Sequence, residues 1–228
     1  MSIYYQDELV TLYHGDCLEL AQLWTVADVM VTDPPYGVNN ESKKGGYRGA
    51  GSQARNATPI KGDLTTEARD SALKAWDDKP AIVFGSWRAP RPARVDHRLI
   101  WHKKGQAPGP ANAAFMLQDE EIYIAGKGWR KSSPPLRSVI ATAEARSVEV
   151  AKIGHPTPKP VGLMEMLIDR CPPGVIADPF AGSGSTLVAA RNLGRKCIGV
   201  EMEEKYCEII ATRLANQTMT LDFSGGAL

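Results

Sequence analysis

The first 36 residues contain no lysine and no arginine, although six acids lie among them (Asp7, Glu8, Asp16, Glu19, Asp28 and Asp33). No apolar run approaches the ~18 residues that a membrane helix requires, and Met1-Ser2-Ile3-Tyr4-Tyr5-Gln6-Asp7 is not a signal peptide. A cytoplasmic protein with no membrane partner is therefore expected. Only four cysteines occur, Cys17, Cys171, Cys197 and Cys207, with no Cys-x-x-Cys pair and no histidine at zinc spacing. That excludes a zinc-finger or disulfide framework and leaves buried thiols, so no metal site is expected. No internal repeat is visible, which excludes solenoid architectures.

What is present fits one α/β domain over residues 1–228: 43% hydrophobic and 23% charged residues, ordinary for a globular chain with a proper core. The formal charge of +1 conceals an asymmetry. Residues 1–36 carry net −6, residues 37–131 net +7, and residues 132–228 balance. A basic middle beside an acidic start suits a polyanion-binding face near a site that needs carboxylates; it also fits a solvated surface.

Strand-like and helix-like pieces alternate along the chain. Val10-Thr11-Leu12-Tyr13, Val29-Met30-Val31, Ala81-Ile82-Val83-Phe84, Arg98-Leu99-Ile100-Trp101, Glu121-Ile122-Tyr123-Ile124, Val175-Ile176-Ala177 and Cys197-Ile198-Gly199-Val200 read as strands. Asp16 is placed as an N-cap for the pattern Cys17, Leu18, Leu20, Ala21 and Trp24. Further helices are expected over 65–75, from Pro160 through Leu163, Met164, Leu167 and Ile168, over 186–192, and around Tyr206, Ile209, Ile210 and Leu214. This alternation predicts a mostly parallel sheet with helices on both faces. Two segments break the pattern. Residues 37–62 are polar and glycine-rich, with Lys43, Lys44, Arg48, Arg55 and Lys61 spread through them, a long basic loop. Residues 129–154 form an insertion rich in Ser, Pro and Arg.

Asp178-Pro179-Phe180-Ala181-Gly182-Ser183-Gly184-Ser185-Thr186 lies between a buried strand and a helix. Its glycines allow a tight turn and close approach of a ligand, and the new helix offers N–H groups. Glu201 ends the next strand, nineteen residues past Gly182, where an acid can grip two ribose hydroxyls. A P-loop requires lysine where Ser185 stands, and a nicotinamide fingerprint requires a third glycine where Leu187 stands. An uncharged turn followed by an acid suits a nucleoside cofactor that lacks a pyrophosphate.

Asp33-Pro34-Pro35-Tyr36 follows the strand at 29–31, at the edge where open α/β sheets bind ligands. A plain Pro-Pro turn opened by Asp33 explains it structurally. A chemical role explains each residue separately. The exocyclic amino group of a base is a poor nucleophile because its lone pair is delocalised into the ring. The Asp33 carboxylate and the Pro34 carbonyl can accept its two N–H bonds and free that lone pair for in-line attack on a sulfonium methyl. The prolines fix the carbonyl, and Tyr36 offers a face on which a base turned out of the duplex can stack.

With these motifs in hand, the chain resembles the DNA amino-methyltransferases that act on adenine N6 or cytosine N4. The resemblance is carried by the tetrapeptide, by His155-Pro156-Thr157-Pro158-Lys159-Pro160 and by the turn at 178–186. The order, tetrapeptide before cofactor turn, is that of the permuted β group. The resemblance implies a circularly permuted Rossmann-like fold with a seven-stranded sheet, one strand antiparallel, binding S-adenosylmethionine between its halves. It implies cofactor contacts at Asp16, Cys17, Asp33, Lys159, Asp178, Phe180, Gly182, Gly184, Thr186 and Glu201. His155 is either one more contact or a histidine packed in a proline-rich turn.

Members with Asp at the first tetrapeptide position mostly methylate adenine N6, whereas cytosine N4 enzymes more often carry Ser; Asp33 thus points to adenine, with cytosine N4 as the alternative. A related glutamine-methylating family has Asn there and places its cofactor turn first. A DNA-binding protein that merely retains a cofactor pocket is the non-enzymatic alternative. Double-stranded DNA is the expected partner. Lys43, Lys44, Arg48 and Arg55, a second cluster containing Arg88 and Arg91, and Arg130 and Lys131 are the candidate contacts. Residues 129–154 correspond to the family's target-recognition region and are short for it, so the recognised site is short or is shared across a homodimer. If the basic loop contacts phosphates, neutralising Lys43, Lys44 and Arg48 lowers the slope of log K against log salt by about 2–3. A salt titration of DNA binding that leaves the slope unchanged removes the loop from the interface.

Overall fold

Val29–Thr32 (β3) is buried at every position, as a central parallel strand covered on both faces must be. The same holds for Ala81–Gly85 (β4) and Ile176–Asp178 (β8), which flank it on either side. The computed structural model describes residues 2–35, 65–104, 118–129, 131, 134–142 and 158–222. The remaining strands are Ser2–Gln6 (β1), Val10–His14 (β2), His97–Lys103 (β5), Asp119–Ala125 (β6), Val139–Thr142 (β7) and Cys197–Glu201 (β9). The helices are Ala21–Trp24 (α1), Glu67–Trp76 (α2), Val161–Ile168 (α3), Ser185–Asn192 (α4) and Glu204–Asp222 (α5).

The sheet runs β1-β2-β9-β8-β3-β4-β6-β5-β7. Strands β2, β9, β8, β3 and β4 are mutually parallel, and β6 runs against both β4 and β5. Alternation survives inside the apolar strands. Val29, Val31, Ile82, Phe84 and Ile176 face a core shared with Leu163, Leu167, Leu187, Ile210 and Leu214 of α3, α4 and α5. Met30, Ala81, Val83 and Ala177 face the other side, where Trp24 and Trp76 of α1 and α2 stack at 5.9 Å. Each indole N–H is satisfied by a carbonyl, that of Cys17 for Trp24 and that of Pro80 for Trp76.

Among the described residues nine strands stand where seven are implied by the resemblance, and two of them, β1 and β6, run antiparallel to their neighbours. The inner seven, β2 to β5 in the sheet order, have the expected arrangement with β6 as the reversed strand. Strand β1 folds back on β2 through a turn that Asp7 closes, its Oδ1 accepting the N–H groups of Leu9 and Val10 at 2.8 and 2.7 Å. Its residues are exposed or half-buried, so no apolar alternation announces it. Strand β7 lies inside the 129–154 insertion and pairs with β5 through four residues, of which Ile140 alone is buried. The helix expected from Cys17 is regular only from Ala21. Asp16 Oδ1 still accepts the Leu18 N–H at 2.7 Å and organises the preceding turn. The loop at 37–62 lies outside the described residues.

Gly85, at the end of β4, faces the ring of Tyr123 on β6, and a Cβ there would lie 2.3 Å from Tyr123 Cε2. The ring is buried and its hydroxyl donates to Glu121 at 2.5 Å, so it cannot retreat cheaply. Gly85→Ala is expected to lower stability by about 1–3 kcal/mol through overpacking. A denaturant midpoint equal to that of the wild type would contradict this.

Candidate active site at the carboxyl edge of the sheet

Three neighbouring parallel strands, β9, β8 and β3, end in carboxylates on one edge of the sheet. Glu201 and Asp178 are the last residues of their strands, and Asp33 follows Thr32 directly. Asp178 is level with Gly199 on β9 and follows Ala177, the partner of Met30, so Glu201 and Asp33 project about two residues beyond it on the neighbouring strands. Asp178 is 2% exposed, and its Oδ1 accepts the Thr32 hydroxyl at 2.7 Å and the Phe180 N–H at 3.2 Å. Burial pushes its carboxyl up to about 6, against hydrogen bonds from Thr186, Thr32 and Phe180; the Asp33 charge adds to the rise.

Glu201 is 8% exposed and ties the glycine turn to the sheet: Oε2 accepts the Gly182 N–H and Oε1 the Glu203 N–H, both at 2.8 Å. Burial pushes it up to about 7, with the charges of Glu203 and Asp178 adding to the effect. The turn itself requires glycine. Gly182 and Gly184 have φ of 53° and 78°, and a Cβ on Gly184 would meet Ile210 Cγ1 at 2.8 Å. Gly184 leads directly into α4, whose Thr186 is buried beside Asp178. Arg213 of α5 donates to the Ser183 carbonyl and pins the turn from outside.

The pairing of β2 with β9 brings His14 level with Glu201, and the Gly15 N–H donates to the Glu201 carbonyl at 2.9 Å. Asp16 and buried Cys17 are thereby delivered beside Glu201. The Cys17 thiol is pushed up to about 12, chiefly by burial and then by the Asp16 charge, so it is a neutral packing group at ordinary pH. Pro34 is buried and Pro35 half-buried. Lys159, 6% exposed, reaches Asp33 from the segment that precedes α3. Its Nζ donates to Asp33 Oδ2 at 2.5 Å and lies 3.3 Å from Glu120 Oε2.

The structure thus gathers Asp16, Cys17, Asp33, Lys159, Asp178, Phe180, Gly182, Gly184, Thr186 and Glu201 at one edge. Tyr36, Lys43, Lys44, Arg48, Arg55, Arg130 and His155 lie outside the described residues. Lys131 is placed elsewhere: it lines a hollow with Arg170, Val175 and Lys196 at the opposite, amino-terminal edge of β8 and β9. The second basic cluster is not bare. Arg91 and Arg98 both donate to buried Glu121 at 2.9 Å, and Arg94 pairs with Asp78 and Asp96. In sequence Asp96 is the only acid within that cluster; folding supplies the others from β6 and the turn after α2. Exposed Arg88 sits 5.5 Å from the ring of exposed Trp87, just past β4 at the carboxyl edge. Sequence reasoning missed Thr32, Glu120 and Arg213, which belong to no motif and act only through cross-strand or helix-to-turn contacts.

A permuted Rossmann-like sheet with a glycine turn, a buried acid ending the next strand and an Asp-Pro-Pro strand end is the arrangement of the amino-methyltransferase class. A sequence model described as DNA methylase matches residues 93–212, more than half of the chain. The type II methyltransferase M.ScaI of Streptomyces caespitosus is 27% identical over 96% of this chain and 85% of its own length. Two solved structures share the fold. The PvuII DNA methyltransferase, described as cytosine-N4-specific, gives a TM-score of 0.65 at 18% identity over 92% of this chain and 88% of its own. The M1.HpyAVI–SAM complex gives 0.60 at 21% identity over 90% and 100%. The chain belongs to the DNA methyltransferase family that modifies adenine N6 or cytosine N4.

Asp178 and Glu201 both titrate higher in the fold than their ordinary values of 3.8 and 4.5. Each therefore favours the folded state below about pH 4, and that contribution is lost as pH rises through 6 to 7. The ligand-free protein is expected to lose stability between pH 5 and 8, with Glu201 contributing roughly 2–3 kcal/mol of the change. In Glu201→Gln the melting temperature should depend less on pH over that interval; an unchanged dependence would contradict the burial of this carboxylate.

Proposed function

We propose that this protein transfers the methyl group of S-adenosylmethionine to N6 of adenine in double-stranded DNA, after the base is turned out of the helix. The observation that carries this reading is the row of Glu201, Asp178 and Asp33 on adjacent strands around a glycine turn. Burial already pushes Asp178 and Glu201 toward protonation, and a ligand bearing a sulfonium and an ammonium group offsets that crowding of negative charge. A dinucleotide's pyrophosphate would add to it. The residues fit the donor: each Glu201 oxygen accepts one backbone N–H and retains a lone pair for a ribose hydroxyl. Asp178, Phe180 and the turn at 182–184 would hold the methionine part, with Asp16 and Cys17 beside the adenine. When bound, the cofactor supplies an activated methyl group on sulfur.

The chain's own residues prepare the nucleophile. Asp33 would accept one N–H of the target amino group and the Pro34 carbonyl the other, drawing the nitrogen toward tetrahedral geometry. Pro34 has no N–H, and its burial holds that carbonyl still. Lys159 fixes the carboxylate of Asp33 through Oδ2, so its orientation precedes substrate binding. Tyr36 would take the extruded base on its ring. Exclusion of water follows from burial of Asp178 and Glu201 beneath the same edge.

Asp33 at the first tetrapeptide position supports adenine over cytosine. Nucleoside mass spectrometry of DNA treated with protein and S-adenosylmethionine tests the reading. N6-methyladenine is expected; N4-methylcytosine would overturn the choice of base, and unmodified DNA the activity. Asp33→Ala should lower the rate by about 10³-fold or more while DNA binding persists. An unchanged rate would remove Asp33 from the chemistry.

A further inference from the structure

Strand β6 is reversed relative to β4, and this places its beginning, not its end, at the carboxyl edge. Gly85, the last residue of β4, is paired with Glu121, so Glu120 lies one step further toward the site. There it meets Lys159: Oε2 lies 3.3 Å from Nζ, while Oε1 is paired with Lys103 of β5. Four charges thus alternate from Asp33 through Lys159 and Glu120 to Lys103. The Lys159 ammonium also sits 5.0 Å from the Phe84 ring centroid on β4. Among the described residues, the charged groups facing Lys159 are Asp33 and Glu120, with Lys103 behind Glu120 and Asp178 near enough to Asp33 to feel its charge.

Resting on the proposed function, we propose that Glu120 is a positioning residue for methyl transfer, one that acts through Lys159. A lysine ammonium is a mobile point charge on a flexible stem, and a buried one tends to lose its proton. A single carboxylate partner would leave it to follow whatever Asp33 does. Asp33, however, must give its acceptor capacity to an incoming amino group. Glu120 supplies a second, permanent anion on a rigid strand. It keeps Lys159 protonated and in place while Asp33 is engaged, and Lys103 holds Glu120 in turn.

Glu120→Gln keeps the shape and removes the charge. Its kcat for methyl transfer should fall by about tenfold or more, with KM for S-adenosylmethionine within about twofold of the wild type. Loss of a neighbouring anion lowers the pKa of an ammonium, so the alkaline limb of the kcat profile should move to lower pH. Glu120→Asp should restore part of both. A readout independent of activity is the nitrogen-15 titration of the Lys159 Nζ signal, assigned by its absence in Lys159→Gln. Its midpoint should fall in Glu120→Gln. Wild-type kcat with an unmoved alkaline limb and Nζ midpoint would overturn the role of Glu120. An inactive wild-type protein would overturn the proposed function, so the two failures are told apart.

Discussion

Placing three carboxylates at the ends of three adjacent parallel strands is electrostatically unfavourable, and much of the site answers that one constraint. Glu201 is stabilised by two backbone N–H groups, Asp178 by Thr32 and Phe180, and Asp33 by the buried ammonium of Lys159. Each partner comes from a different part of the chain. Gly182 must be left-handed to aim its N–H, Thr32 must be the last residue of β3, and Lys159 must stand just before α3. The helices and the glycine turn hold these donors where acids alone would repel.

The inner part of the fold was legible because its rules are local. Continuous apolar runs marked β3, β4 and β8, and Pro160 marked the start of α3. The motifs likewise lie in contiguous residues: the turn at 178–186, the strand end at Asp33 and the acid at Glu201. Less visible was whatever depends on a partner far along the chain. Strand β1 has no fully buried residue, only Tyr4 and Tyr5 partly packed on the core, and depends on the edge that β2 offers it. Glu120 looks like one acid in the run Asp119-Glu120-Glu121, and only the reversal of β6 directs it toward Lys159.

Charge counting along the sequence has the same weakness. Residues 88–104 are strongly basic as written, yet Arg91, Arg94, Arg98 and Lys103 all meet acids once the chain folds. Glu121 shows the logic in small. Burial alone would raise its carboxyl, but hydrogen bonds from Tyr123, Arg91 and Arg98 hold it below the usual range. Those arginines therefore serve the joint between β5 and β6, and Arg91, 56% exposed, does so from the surface.

The sheet joins strands that are remote in the chain: β2 with β9 and β3 with β8, residues 10–32 with residues 176–201. During synthesis, Val10, Leu12, Val29 and Val31 emerge long before the strands that separate and cover them. Nothing local joins β2 to β9 or β3 to β8, so the entropy of a very long loop must be met before either pair forms. The cost is kinetic. Strand β1 can pair with β2 and β3 with β4 early, but the edges of β2 and β3 that face β9 and β8 stay open until those late strands appear, and are exposed to mispairing meanwhile.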